Sequence, residues 1–325
     1  MSISRREFGR VALASAPAIG ALLRGSPAAA AGGQTPPSLS RWAGVQVGLN
    51  VPYSLGTGNN ISAEDLLKRV VEVGVGGLEL RSHPVEHYLG SPTIRAAADA
   101  AKTGPAPRPS PLTPEQKAEA RKWRLAAPTG KLKELKQLYA QSGVSIDILK
   151  VDDIYVVSDE EVDYFFQMAR DLGARAISSE LPTAPGDTKR LGAFADKHKI
   201  FMAYHHHAQA GAARYEELFK EAKYNGANID IGHWTATQNA SPLPFITQHA
   251  DRIPHIHVKD RKLNAGENTP FGQGDTQIRP ILQAIRDKKW EIRPIIEFEY
   301  KVPEGSDRVT EIKKCVAYCR ESLQA

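Results

Sequence analysis

The chain has few cysteines, few long apolar runs and no glycine-rich nucleotide-binding loop. Its two cysteines in 325 residues, Cys315 and Cys319, lie four positions apart on a predicted helix. This number and spacing exclude a disulfide framework and a zinc knuckle. No glycine-rich dinucleotide fingerprint follows the first predicted strand, and the chain contains no exact repeat. With 41% hydrophobic residues, the composition is that of a folded chain and not of a disordered one.

The amino-terminal segment has the features of an export signal. Its apolar stretch, residues 11–23, is shorter than the roughly 20 residues that a membrane-spanning helix needs. Paired arginines precede this stretch and an alanine run follows it, which predicts a cleavable signal over residues 1–31. The pattern SRREF also resembles a twin-arginine export signal. We therefore expect a periplasmic or otherwise exported protein without a stable membrane anchor, with a linker over residues 32–43.

Removal of this signal changes the charge of the chain. Four arginines and one glutamate in residues 1–31 contribute +3 to the formal net charge of +5, so the remaining chain carries +2. The basic isoelectric point is thus largely a property of the signal. It gives no support to a nucleic-acid partner.

From residue 44 onward, short β-rich runs alternate with helical segments eight times. Strand followed by helix implies a parallel sheet with right-handed crossovers. Eight units predict an α/β fold, a single (β/α)8 TIM barrel over residues 44–325, in preference to an open doubly wound sheet. The predicted strands are 44–50, 76–81, 144–149, 174–180, 199–205, 227–231, 253–258 and 293–299. The predicted helices are 62–74, 130–142, 158–172, 187–198, 212–224, 242–251, 277–288 and 305–322.

One segment, residues 91–129, interrupts this alternation between the second strand and its helix. Insertions after barrel strands lie at the functional face. The segment is therefore either a lid that brings Trp123 or Arg124 to the site, or a surface excursion with one extra helix at 115–125.

Polar residues collect at the carboxyl ends of the last five predicted strands, which converge at the face where barrel active sites lie. Taken singly, each has a structural explanation, since Glu180 could be a surface acid and Asp230 could cap a turn. Taken together, five consecutive strands ending in Glu, His, Asp, His and Glu predict a divalent metal site, because a cation offsets the cost of burying such groups. The polar residues at or just after these strand ends are Glu180, His205, His206, His207, Asp230, His233, His255, His257, Lys259, Asp260, Glu297 and Glu299.

Five motifs carry a resemblance to a known family. They are AYHHH (203–207), DIGHW (230–234), HIHVKD (255–260), PFGQGD (270–275) and IIEFE (295–299). In order and spacing, the chain resembles the sugar phosphate isomerase/epimerase superfamily of xylose isomerase-like TIM barrels. The resemblance implies metal-dependent removal of a proton next to a carbonyl of a sugar, as an isomerase, an epimerase, or a related lyase or dehydratase. Export of the chain favours a free, oxidised or glycosidic sugar over a phosphorylated one.

The resemblance also assigns roles to individual residues. It implies Asp230, His257 and Glu297 as metal ligands, with Glu180 as the fourth and His205 as the alternative. The mixed carboxylate and imidazole set suits Mn²⁺, Zn²⁺, Co²⁺ or Mg²⁺.

The remaining site residues are expected to handle protons and substrate. His205 and His207 are the candidate acid/base groups, Lys259 could stabilise an oxyanion, and Glu299 could orient a ligand. The residues expected to bind substrate are His233, Trp234 and Asp260. Two other functions stay open: a non-catalytic periplasmic sugar-binding barrel, and an AP-endonuclease-like phosphodiesterase.

Overall fold

A computed structural model describes residues 36–59, 61–94, 112–152, 154–184, 186–208 and 211–325. The predicted signal, residues 1–31, and residues 95–111 of the predicted insertion lie outside the described residues. Within the described ranges, no helix combines the length and the apolar character needed to cross a membrane.

Eight parallel strands close into a barrel in chain order, with the last strand paired to the first. This confirms the predicted (β/α)8 fold. The strands are β1 (Gly48–Val51), β2 (Gly77–Arg81), β3 (Ser145–Lys150), β4 (Ala176–Glu180), β5 (Phe201–His205), β6 (Asn225–Asp230), β7 (His255–Val258) and β8 (Arg293–Ile296). Two short antiparallel hairpins, Arg41–Trp42 with Val45–Gln46 and Asp260–Arg261 with Asn268–Thr269, lie outside the barrel sheet.

Helices follow the strands around the barrel. Several of them begin where a side chain accepts a hydrogen bond from a free backbone amide: Ser62 accepts from the Asp65 amide, and Ser158 forms a capping box with Glu161. The described helices are α1 (Ala63–Val73), α2 (Ser82–Leu89), α3 (Pro114–Leu125), α4 (Lys131–Ala140), α5 (Asp159–Leu172), α6 (Asp187–His198), α7 (Ala212–Glu221), α8 (Ile231–Gln238), α9 (Leu243–Gln248), α10 (Ile278–Asp287) and α11 (Arg308–Gln324).

The main apolar core lies between the strands and the helices, and it contains the outward-facing residues of the strands. The barrel lumen is different. A small separate apolar cluster of Ile148, Ala176 and Ala203 packs with Phe201. Much of the remaining inward-facing surface is polar, and Glu79, Asn228, His255 and other polar or charged side chains there are almost completely buried. Buried polar groups need partners, so the lumen is where a site must be sought.

The described part of the insertion packs against the helical layer. Helix α3 confirms the extra helix predicted at 115–125. The Trp123 ring packs edge-on against Tyr164 of α5, at 6.4 Å between ring centroids. Arg124 forms ion pairs with Glu86 at 2.7 Å and with Glu161 at 2.8 Å. Both residues therefore anchor the segment to neighbouring helices in this structure.

Candidate metal centre

The strand register brings the polar strand ends together. In the β-ladders, Glu180 pairs with His205, and Asp230 pairs with His257. Side chains two residues apart on a strand share a face, so His255 and His257 both lie in the lumen, where each is fully buried.

Four side chains from four strands form a compact cluster. Potential ligand atoms of His205, Asp230, His257 and Glu297 all lie within 4.8 Å of one another, and all four residues are buried. His257 Nδ1 lies 3.2 Å from Glu297 Oε2 and 3.9 Å from Asp230 Oδ2. His205 Nε2 lies 3.4 Å from Asp230 Oδ2. Three of the four predicted ligands therefore meet here, and His205 completes the cluster.

Glu180, the preferred fourth ligand in the sequence-based hypothesis, lies on the other side of His205. Its Oε2 is 3.0 Å from His205 Nδ1, whereas His205 Nε2 faces Asp230. The other Glu180 oxygen accepts a hydrogen bond from Lys150 at 2.7 Å. The carboxylate is thus placed to orient the His205 ring, and the geometry favours His205 over Glu180 in the central cluster.

His257 has a similar partner. Its Nε2 contacts the Glu79 carboxylate, and the side-chain amide of Asn228 lies 3.0 Å from the same nitrogen. Asn50 donates a hydrogen bond to Glu297 Oε1 at 2.8 Å. The central residues are therefore held by a surrounding layer of polar side chains.

Lys259 is buried among three carboxylates. Its Nζ lies 3.0 Å from Asp230 Oδ2, 2.6 Å from Glu297 Oε2 and 2.6 Å from Glu299 Oε2. Tyr53 donates a hydrogen bond to Glu299 Oε1 at 2.7 Å. Glu299 therefore positions Lys259 and lines the cleft above it.

These contacts determine the charges of the cluster. Burial lowers the pKa of His257, but Glu297 and Glu79 outweigh it and raise that pKa to about 10. Burial also opposes the Lys259 charge, yet the three carboxylates, led by Asp230, raise the Lys259 pKa. For Asp230, burial raises the pKa, whereas Lys259 and His205 lower it well below its usual value. The carboxylates are ionised, and cations must balance them.

The donor set fits a divalent cation. Two carboxylates and two imidazoles converge, which is a combination that Mn²⁺, Zn²⁺ and Co²⁺ accept. Within the described residues, His257 Nδ1 is a buried nitrogen without a well-formed hydrogen bond. A metal ion requires the neutral imidazole, so its binding would displace the additional proton that His257 otherwise carries.

Two further histidines lie at the mouth of the cluster. The His207 ring packs edge-on against His205 and His233, with centroids 4.8 and 4.7 Å apart. The His207 side chain is 52% exposed, and its Nε2 lies 3.9 Å from Glu180 Oε2. Arg261 donates to His233 Nδ1 at 2.7 Å, so the His233 proton resides on Nε2. Burial lowers the pKa of His233 to about 3. His207 is therefore the more accessible of the two rings.

Asp260 and Trp234, both predicted to bind substrate, make structural contacts around the site. Asp260 accepts hydrogen bonds from the amides of Gly272, Gly274 and Thr276, which secures the PFGQGD loop. Trp234 is buried, and its ring lies 5.1 Å from that of Phe245.

Glycine in the DIGHW motif has a steric reason. A Cβ atom at Gly232 would lie 2.3 Å from Lys259 Cγ, so only glycine leaves room for the buried lysine.

A cleft of about 940 Å³ adjoins the cluster and is lined by Glu180 and Glu299 among others. Arg81 at its wall forms an ion pair with Asp152. Tyr53, 43% exposed, presents an aromatic surface to the cleft. This volume lies near the upper end of the range of small-molecule sites, roughly 300–1,000 Å³.

Several residues of the site do not appear among those predicted from the sequence. Glu79, Lys150, Asn50 and Asn228 lie on strands β2, β3, β1 and β6 and contact the predicted residues. A charged or amide residue inside an otherwise apolar strand, as in GLELR and GLNV, is the sequence feature that could have identified them.

Comparison with known proteins supports the fold and the region of the site. Residues 187–321 match the model of a family described as xylose isomerase-like TIM barrel. An inosose dehydratase of Bacillus velezensis is 26% identical over 136 residues, which is 40% of this chain and 38% of that protein. An inosose dehydratase of Salmonella typhimurium is 29% identical over 75 residues, or 22% of this chain and 25% of that protein. The chain thus spans less than half the length of these curated relatives.

Solved structures show the same fold over most of the described chain. A xylose isomerase domain protein from Alicyclobacillus acidocaldarius superposes with a TM-score of 0.59 at 12% identity, covering 86% of this chain and 100% of that one. A structure described as the probable 3-DHS dehydratase AsbF, involved in petrobactin synthesis in Bacillus anthracis, has a TM-score of 0.55 at 16% identity. It covers 84% of this chain and 98% of the other.

Proposed function

We propose that the chain, whose residues 187–321 match a family described as xylose isomerase-like TIM barrel, is a divalent-metal-dependent enzyme that removes a proton next to a carbonyl group of a sugar or cyclic polyol. The observation that carries this proposal is the buried cluster of His205, Asp230, His257 and Glu297. Its four donors come from four strands and converge beside a cleft large enough for a small molecule.

The names of the relatives support elimination of water as the outcome. The curated relatives are named inosose dehydratases, and one solved structure is described as a probable 3-DHS dehydratase. Isomerisation or epimerisation would begin with the same broken C–H bond. Reprotonation of the resulting enediolate gives an isomer or epimer, whereas loss of a hydroxyl group from the neighbouring carbon as water gives dehydration.

In this proposal His205, Asp230, His257 and Glu297 hold the ion, with Glu180 behind His205. A bound divalent ion would polarise the sugar carbonyl and lower the barrier to removal of the adjacent proton. Lys259, held by Glu299, supplies a fixed positive charge that stabilises the negative oxygen of the enediolate.

His207 is the proposed acid/base group. It stands at the mouth of the cluster, half-exposed, and its Nε2 lies 3.9 Å from Glu180 Oε2. Since His205 Nε2 faces Asp230 and its Nδ1 contacts Glu180, both nitrogens of His205 are engaged. Of the two candidate acid/base groups, the geometry therefore favours His207.

Three cations at the cleft and the cluster are already paired with carboxylates. Arg81 is paired with Asp152, Lys150 with Glu180, and Lys259 with three carboxylates. Arg308 also lines the cleft, where it donates a hydrogen bond to the Ser54 carbonyl oxygen at 3.0 Å and lies over the Phe298 ring. We further propose that the protein acts after export, on a free, oxidised or glycosidic sugar, as the twin-arginine pattern suggests.

Metal analysis and proton exchange together test the proposed function. The purified protein is expected to hold one divalent ion per chain, and Asp230→Asn is expected to lose it. Asp147→Asn is the matched control, because Asp147 is a largely buried carboxylate on β3 that contacts Ser145 and lies outside the cluster. It should retain the ion.

The reaction is followed by NMR in deuterated water with cyclic keto-polyols, free ketoses and oxidised glycosides. The proposal predicts either deuterium at a carbon next to the carbonyl, or dehydration, in which the proton leaves that carbon and the hydroxyl group leaves the carbon beyond it. Binding of a sugar with neither exchange nor turnover across the panel would support a non-catalytic sugar-binding barrel instead.

A further inference from the structure

We propose that Glu79 is a positioning residue that holds His257 in its metal-binding orientation and tautomer; this inference rests on the metal centre of the proposed function. Glu79 lies on β2 and His257 on β7, 178 positions apart in the sequence. These strands are not neighbours in the barrel, so the contact crosses the lumen. The Glu79 carboxylate and His257 Nε2 are in direct hydrogen-bond contact.

The burial of Glu79 requires a reason. The residue has no solvent exposure, and an ionised carboxylate in such a place is costly unless it is paired. His257 Nε2 is in direct contact with the Glu79 carboxylate, and His255 Nε2 lies 3.8 Å from its other oxygen. A nearby part of the lumen is filled by Ile148, Ala176 and Ala203, so apolar packing is possible inside this barrel. The buried charge of Glu79 is therefore explained by its contact with His257.

The two nitrogens of His257 have different surroundings. Nε2 faces Glu79 and Asn228, whereas Nδ1 faces Glu297 and Asp230. A neutral imidazole carries one proton, and the charged Glu79 carboxylate, which lies closer to Nε2 than the Asn228 side-chain nitrogen does, keeps the proton there. Nδ1 is then left with its lone pair directed into the cluster. Glu79 thus selects the tautomer that can bind a metal and makes that nitrogen a stronger donor.

A comparable pair supports this interpretation. Glu180 Oε2 contacts His205 Nδ1 at 3.0 Å, while His205 Nε2 lies 3.4 Å from Asp230. Each imidazole of the cluster therefore has one nitrogen directed inward and one backed by a carboxylate. The Glu180 side chain is 37% exposed, whereas that of Glu79 is completely buried. Because water does not screen Glu79, its effect should be the larger.

The experiment compares Glu79→Gln with Glu86→Gln, using Co²⁺ as the probe. Glutamine keeps the size of the side chain and removes its charge. Glu86 is a matched control because it is also buried, at 1% exposure, but it pairs with Arg124 in the helical layer. Titration calorimetry should show Co²⁺ binding weakened roughly 10- to 100-fold in Glu79→Gln, and by less than about twofold in Glu86→Gln. The visible absorption of bound Co²⁺ should change only in Glu79→Gln.

Wild-type affinity and spectrum in a folded Glu79→Gln variant would overturn the role of Glu79, as would equal weakening in both variants. If Glu79→Gln does not fold, long-range ¹H–¹⁵N spectra of the wild-type protein with Zn²⁺ decide the matter. They should show His257 protonated at Nε2, and a proton on Nδ1 would refute the inference. A wild-type protein that binds neither ion would refute the metal centre itself, and the role of Glu79 with it.

Discussion

Replacement of Lys259 by methionine should destabilise the metal-free protein far more than the metal-bound one. Methionine keeps the length of the buried side chain and removes the charge that lies within 3.0 Å of Asp230, Glu297 and Glu299. Loss of one partner from a buried ion pair costs about 3–5 kcal/mol, because the remaining charge is uncompensated. His257, whose pKa is raised to about 10, still balances part of the charge. We therefore expect a loss of about 3 kcal/mol.

Urea unfolding with a chelator, and then with Co²⁺ in excess, measures this loss. A divalent ion restores the missing positive charge, so the difference from wild type should shrink when the ion is present. Lys150→Met is the control, because Lys150 pairs with Glu180, which is partly solvated. Its stability loss should be smaller and should depend less on the ion. A loss for Lys259→Met below about 1 kcal/mol, or one that Co²⁺ leaves unchanged, would refute this account of the cluster.

Two further variants distinguish residues of the site from residues that only stabilise the fold. Gly232→Ala should displace Lys259, because the new Cβ would lie 2.3 Å from Lys259 Cγ. We expect turnover to fall at least about tenfold while metal content persists. Unchanged turnover would contradict the steric clash. Arg124→Met should cost about 3–5 kcal/mol in urea unfolding, because it leaves Glu86 and Glu161 buried without their cation, yet metal affinity in calorimetry should not change.

The fold could be predicted from the sequence because its signal is repeated. Each of the eight predicted strands overlaps an observed barrel strand, and helix starts at Ser62 and Ser158 follow from local hydrogen bonding. Strand ends such as Asp230 and His257 could be placed together because parallel strands end at one face of a barrel. Boundaries were predicted less accurately: the helix predicted over residues 277–288 is observed as α10, Ile278–Asp287.

The surrounding layer of the site could not be predicted in the same way. Glu79 meets His257 across the lumen, and such a contact depends on barrel closure and strand register, which periodicity does not reveal. The choice between Glu180 and His205 as the fourth metal ligand depends on how two carboxylates are placed around the His205 ring. Glu180 contacts Nδ1, and Asp230 faces Nε2. The sequence places both residues at strand ends, but only the three-dimensional arrangement shows Glu180 behind His205.

The most direct test of the metal centre is an anomalous-scattering map from crystals grown with Co²⁺ or Zn²⁺. The account predicts one peak among the side chains of His205, Asp230, His257 and Glu297, with Glu79 and Glu180 in contact with the outer nitrogens of the two histidines. A peak bound by Glu180 with His205 turned away would contradict the ligand set. The lack of any peak in the barrel lumen, from a protein saturated with the ion, would contradict the metal centre.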